Sequence, residues 1–266
     1  MRPMRTTTLA RVLLAGVLLA ASASTDFAPN TPMAFARTAG TLKLSRALLA
    51  GHVFQVQCPA GTDPSTACFQ SSGTGLIPGL GKASERKLIF VDDPDSSCER
   101  WHSNSVITVA GKGEIDLSLR PPNECVIPTT GLLNASLVYS VTGGSRMYRG
   151  VSGSGTFVVR GGPGTTGRET DILSGTLIVP GLTFDLTPPI FRGATSKTVV
   201  APRGASAVRV RYAVTARDPG HGPVVVRCMP RSGSNFKIGR TKVTCSAIDL
   251  SANKAIARFV VIVKSR

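Results

Sequence analysis

Three histidines, one tryptophan and three tyrosines are all this 266-residue chain holds of those residue types, and none of its six cysteines stands at C-x-x-C spacing with another. A Cys/His zinc site needs clustered ligands of those types, so no metal is expected. With so few rings to stack bases and no nucleic-acid reading motif, sequence-specific recognition of nucleic acid is not expected either. Acidic residues are also short, 15 against 31 Lys and Arg, for a formal net charge of +16. The apolar run from Val12 to Ala21 falls well short of the ~20 residues of a spanning helix, and no second run reaches that length, so the mature chain is expected to lack a transmembrane segment. A convincing helical period is missing as well.

What is present points outward from the cell. Basic Met1-Arg2-Pro3-Met4-Arg5, the apolar run and the small-x-small site Ala21-Ser22-Ala23 follow one another as in a secretory signal peptide, which assigns residues 1–23 to a removed leader. An even number of cysteines, Cys58, Cys68, Cys98, Cys125, Cys228 and Cys245, then reads as a disulfide framework of an oxidising compartment. Among the first four, three pairings are open; proximity in sequence favours Cys58 with Cys68 and Cys98 with Cys125. Asn134-Ala135-Ser136 is a glycosylation acceptor only in a host that modifies such sites.

Twenty-eight glycines and 18 prolines punctuate short alternating apolar runs. Residues 24–51 show no clear period and are expected to form a leader or a loosely ordered arm. From His52 onward strand-like runs appear at Val53 to Gln57, Lys87 to Val91, Ser105 to Ala110, Glu114 to Leu119, Leu137 to Val141, Gly155 to Val159 and Gly175 to Val179. Such a series over residues 52–184 predicts an antiparallel β-barrel or a sandwich. Within it, Gly143-Gly144-Ser145-Arg146-Met147-Tyr148-Arg149-Gly150-Val151-Ser152-Gly153-Ser154-Gly155 is similar to the Gly-Gly-x-x-x-Tyr-x-Gly-x-x-Gly-x-Gly stretch of secreted bacterial β-barrel proteins, and more loosely resembles allene oxide cyclase-like and dirigent-like barrels. Its glycines permit a sharp turn and a bend where a strand enters a closed sheet, and Tyr148 can cover the barrel end. The likeness supports a barrel, not cyclase chemistry.

Pro188-Pro189 sets a break after an apolar strand, and there the composition turns basic. From Asp185 to Arg266 there are 15 Lys and Arg against 3 acids, whereas Ser24 to Phe184 holds 13 against 12. Residues 185–266 resemble a hyalin repeat. The resemblance is carried by Asp185-Leu186-Thr187-Pro188-Pro189 at the opening and by the strand from Val208 that ends in Ala216-Arg217-Asp218. It continues in Cys228-Met229-Pro230-Arg231-Ser232-Gly233-Ser234-Asn235-Phe236-Lys237-Ile238-Gly239, in Thr241-Lys242-Val243-Thr244-Cys245 and in a closing strand from Phe259 to Val263. Ala252 stands before Asn253 where the family usually has glycine, which is expected to alter one turn at most. The resemblance implies an immunoglobulin-like β-sandwich, a class of module associated with adhesion and protein contacts. Alternation agrees: Thr241, Val243, Cys245 and Ala247 share one face, and Ala257, Phe259, Val261 and Val263 another inward one. Cys228 and Cys245 lie on neighbouring candidate strands, and a bridge between them closes a short loop.

No catalytic, cofactor-binding or metal-binding set emerges. Gly162-Pro163-Gly164-Thr165-Thr166-Gly167 matches G-x-G-x-x-G in letters, but a strand pattern follows it where a dinucleotide site needs a helix, so it reads as a hairpin loop. Bases His52, His102 and His221 and carboxylates Asp92, Asp93 and Asp95 have no nucleophile elbow to serve, and Asp92-Asp93-Pro94-Asp95 reads as a solvated turn rather than a calcium loop. Arg209, Arg211, Arg227, Lys242 and Arg258 fall out of phase with the inward residues and are candidates for a polyanion-binding face. The sequence therefore predicts an all-β, secreted, non-enzymatic binding or adhesion protein without cofactors. Its partner is expected to be an extracellular anionic polymer or a cell-surface protein. The alternative is a small-ligand-binding or enzymatic barrel tethered by the C-terminal module; a filled barrel would favour the first reading.

Overall fold

A computed structural model describes residues 40–266 except 93, 95, 96, 124–133 and 162–166. Among the described residues there is no α-helix, and the chain is all-β as its turn-rich alternating pattern predicts. Eight antiparallel strands in sequence order, β1 (Gly40–Val56), β2 (Ala67–Ile77), β3 (Gly81–Asp92), β4 (Arg100–Val109), β5 (Gly113–Arg120), β6 (Asn134–Gly144), β7 (Ser152–Gly161) and β8 (Arg168–Val179), close into a barrel when β1 pairs with β8. Closure leaves no free edge to aggregate.

The first strand corrects part of the expectation of an arm over 24–51: from Gly40 the chain is already in the sheet, while residues 24–39 lie outside the described residues. Leu42 and Leu44 point inward, then the register with β8 shifts between Leu44 and Ala47, and Ala47 and Leu49 take over the inward row. Arg46 at the shift adopts φ 52°. An extra residue in a strand reverses the phase of alternation, and that erases the period a sequence reading looks for. Strand β2 is missing from the sequence-based series for a different reason. Its inward positions include Ser71 and Gly73, which carry no apolar signal.

The glycine-rich stretch behaves as expected. Gly143 and Gly144 sit where β5 and β6 change register next to Asp116, residues Arg146–Tyr148 form a short 3-10 turn, and Tyr148 is buried in the barrel core. Gly175, at φ 152°, faces Gly155 across the β7–β8 ladder, and the Tyr139 ring lies over both; a Cβ at Gly175 would come within 2.5 Å of the Tyr139 hydroxyl. β7 and β8 are antiparallel neighbours on either side of residues 162–166, as a hairpin requires.

The barrel core consists of inward aliphatics from all eight strands with Trp101, Tyr139, Tyr148 and Phe157, and Leu182 and Phe184 pack against it. β3 is unusual in placing Glu85 and Lys87 in the same buried row as Ala83, Ile89 and Val91. Lys87 Nζ pairs with Glu169 Oε1 and Asp171 Oδ2 of β8 and lies 5.0 Å from the Phe157 ring centre. Ser71 donates to Glu169 Oε1 at 2.6 Å, and Ser105 donates to Glu85 Oε1 at 2.6 Å. The void beside Lys87, walled by Ile89, Trp101, Leu119, Leu137 and Val159, measures about 10 Å³, which suits one water at most.

After Pro188-Pro189 the chain forms a sandwich. One layer is the sheet β10 (Lys197–Val200), β17 (Lys254–Lys264), β16 (Gly239–Ile248) and β14 (Val226–Met229), in that spatial order. Facing it are the pair β11 (Ala207–Val210) with β15 (Ser234–Lys237) and the sheet β13 (Gly222–Val224), β12 (Thr215–Asp218) and β9 (Ile190–Arg192). Val210 and Phe236 from one side meet Val243, Cys245, Phe259, Val261 and Val263 from the other, the inward rows that alternation predicts. The barrel turn before β3 touches the sandwich directly, Gly79 N–H donating to Ser251 O at 2.7 Å.

Candidate functional site

Cys58 is bonded to Cys68, and Cys228 to Cys245, directly across the β14–β16 ladder. Cys98 is disulfide-bonded as well, and Cys125 lies outside the described residues.

The three histidines weighed as candidate bases are spread over the molecule. His52 stacks on exposed Phe54, and His102, half exposed, stacks on Phe90 at 4.7 Å with Asp92 Oδ2 3.7 Å from its Nδ1. Trp101 is buried and donates from Nε1 to Glu99 at 2.7 Å. Asp92 closes β3 and accepts from Thr66 Oγ1 at 2.7 Å; Asp93 and Asp95 lie outside the described residues.

His221 alone joins a carboxylate group. Its Nδ1 lies 3.0 Å from Asp218 Oδ1 and 3.1 Å from Asp185 Oδ2, and donor atoms of Asp185, Asp218, His221 and Asp249 all fall within 4.8 Å of one another. Each acid also fixes a turn. Asp218 Oδ1 accepts from Gly220 and His221 N–H, Asp185 Oδ1 from Thr187 N–H, and Asp249 from the Asn253 backbone and side chain, while Asn253 Nδ2 also donates to Asp185 O. Asp218 is fully buried, and its Oδ2 has no hydrogen-bond partner among the described residues. Three hard oxygen donors with an imidazole are a set that can hold a divalent cation. Sequence reasoning misses this group because the three aspartates are 33 and 31 residues apart, and it takes Ala216-Arg217-Asp218 only as the end of a strand. In the turn before Asn253, Ala252 takes φ 64°, the left-handed conformation that glycine adopts without cost.

These three aspartates are all the acids of residues 185–266. Their gathering at one end leaves the rest of the module's surface without a negative side chain. On the outer face of the four-stranded sheet, register places Arg227 beside Ser246 and Ile256, Met229 beside Thr244 and Arg258, Lys242 beside Val260, and Arg240 beside Ile262. Arg227, Arg240, Lys242, Arg258 and Lys264 are exposed there, and none of β10, β14, β16 and β17 contains Asp or Glu. Lys242 and Arg258 are diagonal neighbours, about 7–8 Å apart at that register. Beside β14 an open groove of about 520 Å³ carries Arg227 and Arg231 over Tyr212, Val214, Val226 and Met229.

The five basic residues singled out in the sequence are all exposed but do not share one face. Arg227, Lys242 and Arg258 lie on the outer sheet. Arg209 alternates with inward Val210 on the opposite layer, its Nε donating to Gly233 O at 2.7 Å, and Arg211 follows β11 with its carbonyl accepting from Lys197. Being out of phase with the core places a residue outside, but a sandwich has two outsides. Arg240 and Lys264 complete the outer-sheet set.

No curated protein and no solved structure matches the chain. Residues 184–263 match the family model of the HYR domain. The motif run from Asp185, the Cys228–Cys245 bridge and the sandwich agree with that match, so this C-terminal segment is similar to HYR domains, a similarity that suggests an adhesion-like module of immunoglobulin-like build.

Proposed function

We propose that the protein is a secreted, non-enzymatic binding or adhesion protein that lays the outer β10-β17-β16-β14 face of its HYR-like domain against an anionic polymer of the cell surface. The observation that carries this reading is the segregation of charge: every acid of the domain sits in the Asp185–Asp218–Asp249 cluster, and the outer sheet presents only cations among neutral side chains. Such a face builds a positive potential that no neighbouring carboxylate cancels. Flat spacing by strands suits an extended chain of regularly placed negative groups better than a small anion, which asks for a pocket. The disulfides suit an oxidising compartment. The barrel's packed interior supports a scaffold role for it over ligand carriage.

The test is binding of the full chain to an acidic polysaccharide, with a neutral polysaccharide as control, across a salt series. Four or five cations released against the polymer predict affinity falling by about a hundredfold between ~50 and ~200 mM salt. Equal binding to the neutral polymer, or no binding at ~50 mM salt, contradicts the proposal.

A further inference from the structure

Lys87 is 1 % exposed in the barrel, with its Nζ in contact with two carboxyl groups that are themselves 1 % and 3 % exposed. A lysine ammonium and three acids in a dry core are costly to bury unless every charge is balanced, and here acids outnumber the cation. Neutrality then needs protons on two of the three acids. Burial, reinforced by Glu85 and Glu169, pushes the Asp171 carboxyl far above the ordinary carboxylate range, whereas Lys87, drawn down by burial, is raised on balance by Glu85, Asp171 and Glu169. The cluster therefore holds the lysine nitrogen, a neutral carboxylic acid and a second carboxyl group side by side. Ser71 fixes that second group, Glu169, through its hydroxyl. Phe157, Leu137 and Val159 help to exclude water.

We infer that Lys87 and Asp171 condense into an intramolecular isopeptide bond, with Glu169 as the base. In contact with the Glu169 carboxylate, the Lys87 ammonium gives up one proton to it and becomes a free amine. The Nζ lone pair then attacks Asp171 Cγ, and the carbonyl electron pair moves to oxygen. From this tetrahedral adduct Nζ loses a second proton, and the C–OH bond breaks. The hydroxyl departs with that proton as water, and the amide forms as the oxygen pair returns. Glu169 ends protonated, one ammonium and one carboxylate charge having cancelled, and no oxidant or co-reactant is needed. Both reacting groups are held in contact before reaction, which is what makes an otherwise slow condensation accessible. The strands they join, β3 and β8, are separated around the barrel by β1 and β2, so the bond would staple the interior across 84 residues of chain.

The experiment is tryptic mapping of the full, reduced and denatured protein by mass spectrometry. An amidated Lys87 blocks cleavage after it, so segment 87–100 is expected linked to segment 169–192, lighter than their sum by one water, with fragmentation placing the link at Asp171. Glu169→Gln, which keeps the volume but removes the base, should leave the two segments separate, as should Lys87→Arg. Free segments 88–100 and 169–192 in the wild-type digest would overturn the inference, as would a link placed at Glu169. The wild-type map decides the matter even where a variant fails to fold.

Discussion

Two buried tyrosines make the clearest residue-scale prediction. Burial pushes the Tyr139 and Tyr148 phenols up to about 12, against about 10 in an unfolded chain. Between those values the unfolded state has lost protons that the folded state keeps, so stability falls as pH rises from about 10 toward 12. A spectrophotometric alkaline titration should show tyrosinate appearing late and together with loss of structure; ionisation centred near 10 while the fold persists would contradict the buried placement. Tyr139 also shows why this residue scale is hard to read in sequence. Its packing over Gly155 and Gly175 requires glycine on two different strands, and nothing in either local sequence names the ring they accommodate. Glu85 and Lys87 keep phase with Ala83, Ile89 and Val91, but the sequence reading takes Lys87 only as the start of a strand and passes over the charges in an apolar row. Their partners Glu169 and Asp171 are over 80 residues away and become visible only when the barrel closes.

At the scale of elements, legibility followed how cleanly each strand alternates. The β16 and β17 rows were read in phase because inward Val243, Cys245, Phe259 and Val261 are apolar or half-cystine and their neighbours polar. β1 was lost to its bulge and β2 to its small inward residues. The Cys228–Cys245 bridge ties β14 to β16 at a sequence separation of 17. Closing a loop of that size stabilises by about 3 kcal/mol through the unfolded chain, a large part of what a domain this small has. Replacing both cysteines with alanine should lower the stability of this C-terminal module by that order, seen as a lower denaturation midpoint when unfolding is followed by the signals of Tyr212 and Phe259. An unchanged midpoint would mean the ladder alone holds β14 in place.

For the whole molecule, the functional reading rests on where charge goes once the sandwich forms. The sequence shows an excess of cations after Asp185, but it cannot say that three distant aspartates meet at one end or that Arg209 and Arg211, among the five basic residues singled out, lie off the sheet that carries the other three. Both are consequences of the layer arrangement. On the proposed reading, the packed barrel serves as a scaffold and the one-signed sheet makes the contact.

The most direct measurement compares two variants of the full chain for binding to an acidic polysaccharide at low salt. In one, Arg227, Lys242 and Arg258 become serine; in the other, Arg209 and Arg211 do. Loss of three of the sheet's cations is expected to weaken binding by on the order of a hundredfold, while loss of the two on the opposite layer should cost less than about tenfold. Equal losses per charge removed would mean that net charge alone attracts the polymer, and would contradict a binding face on the outer sheet.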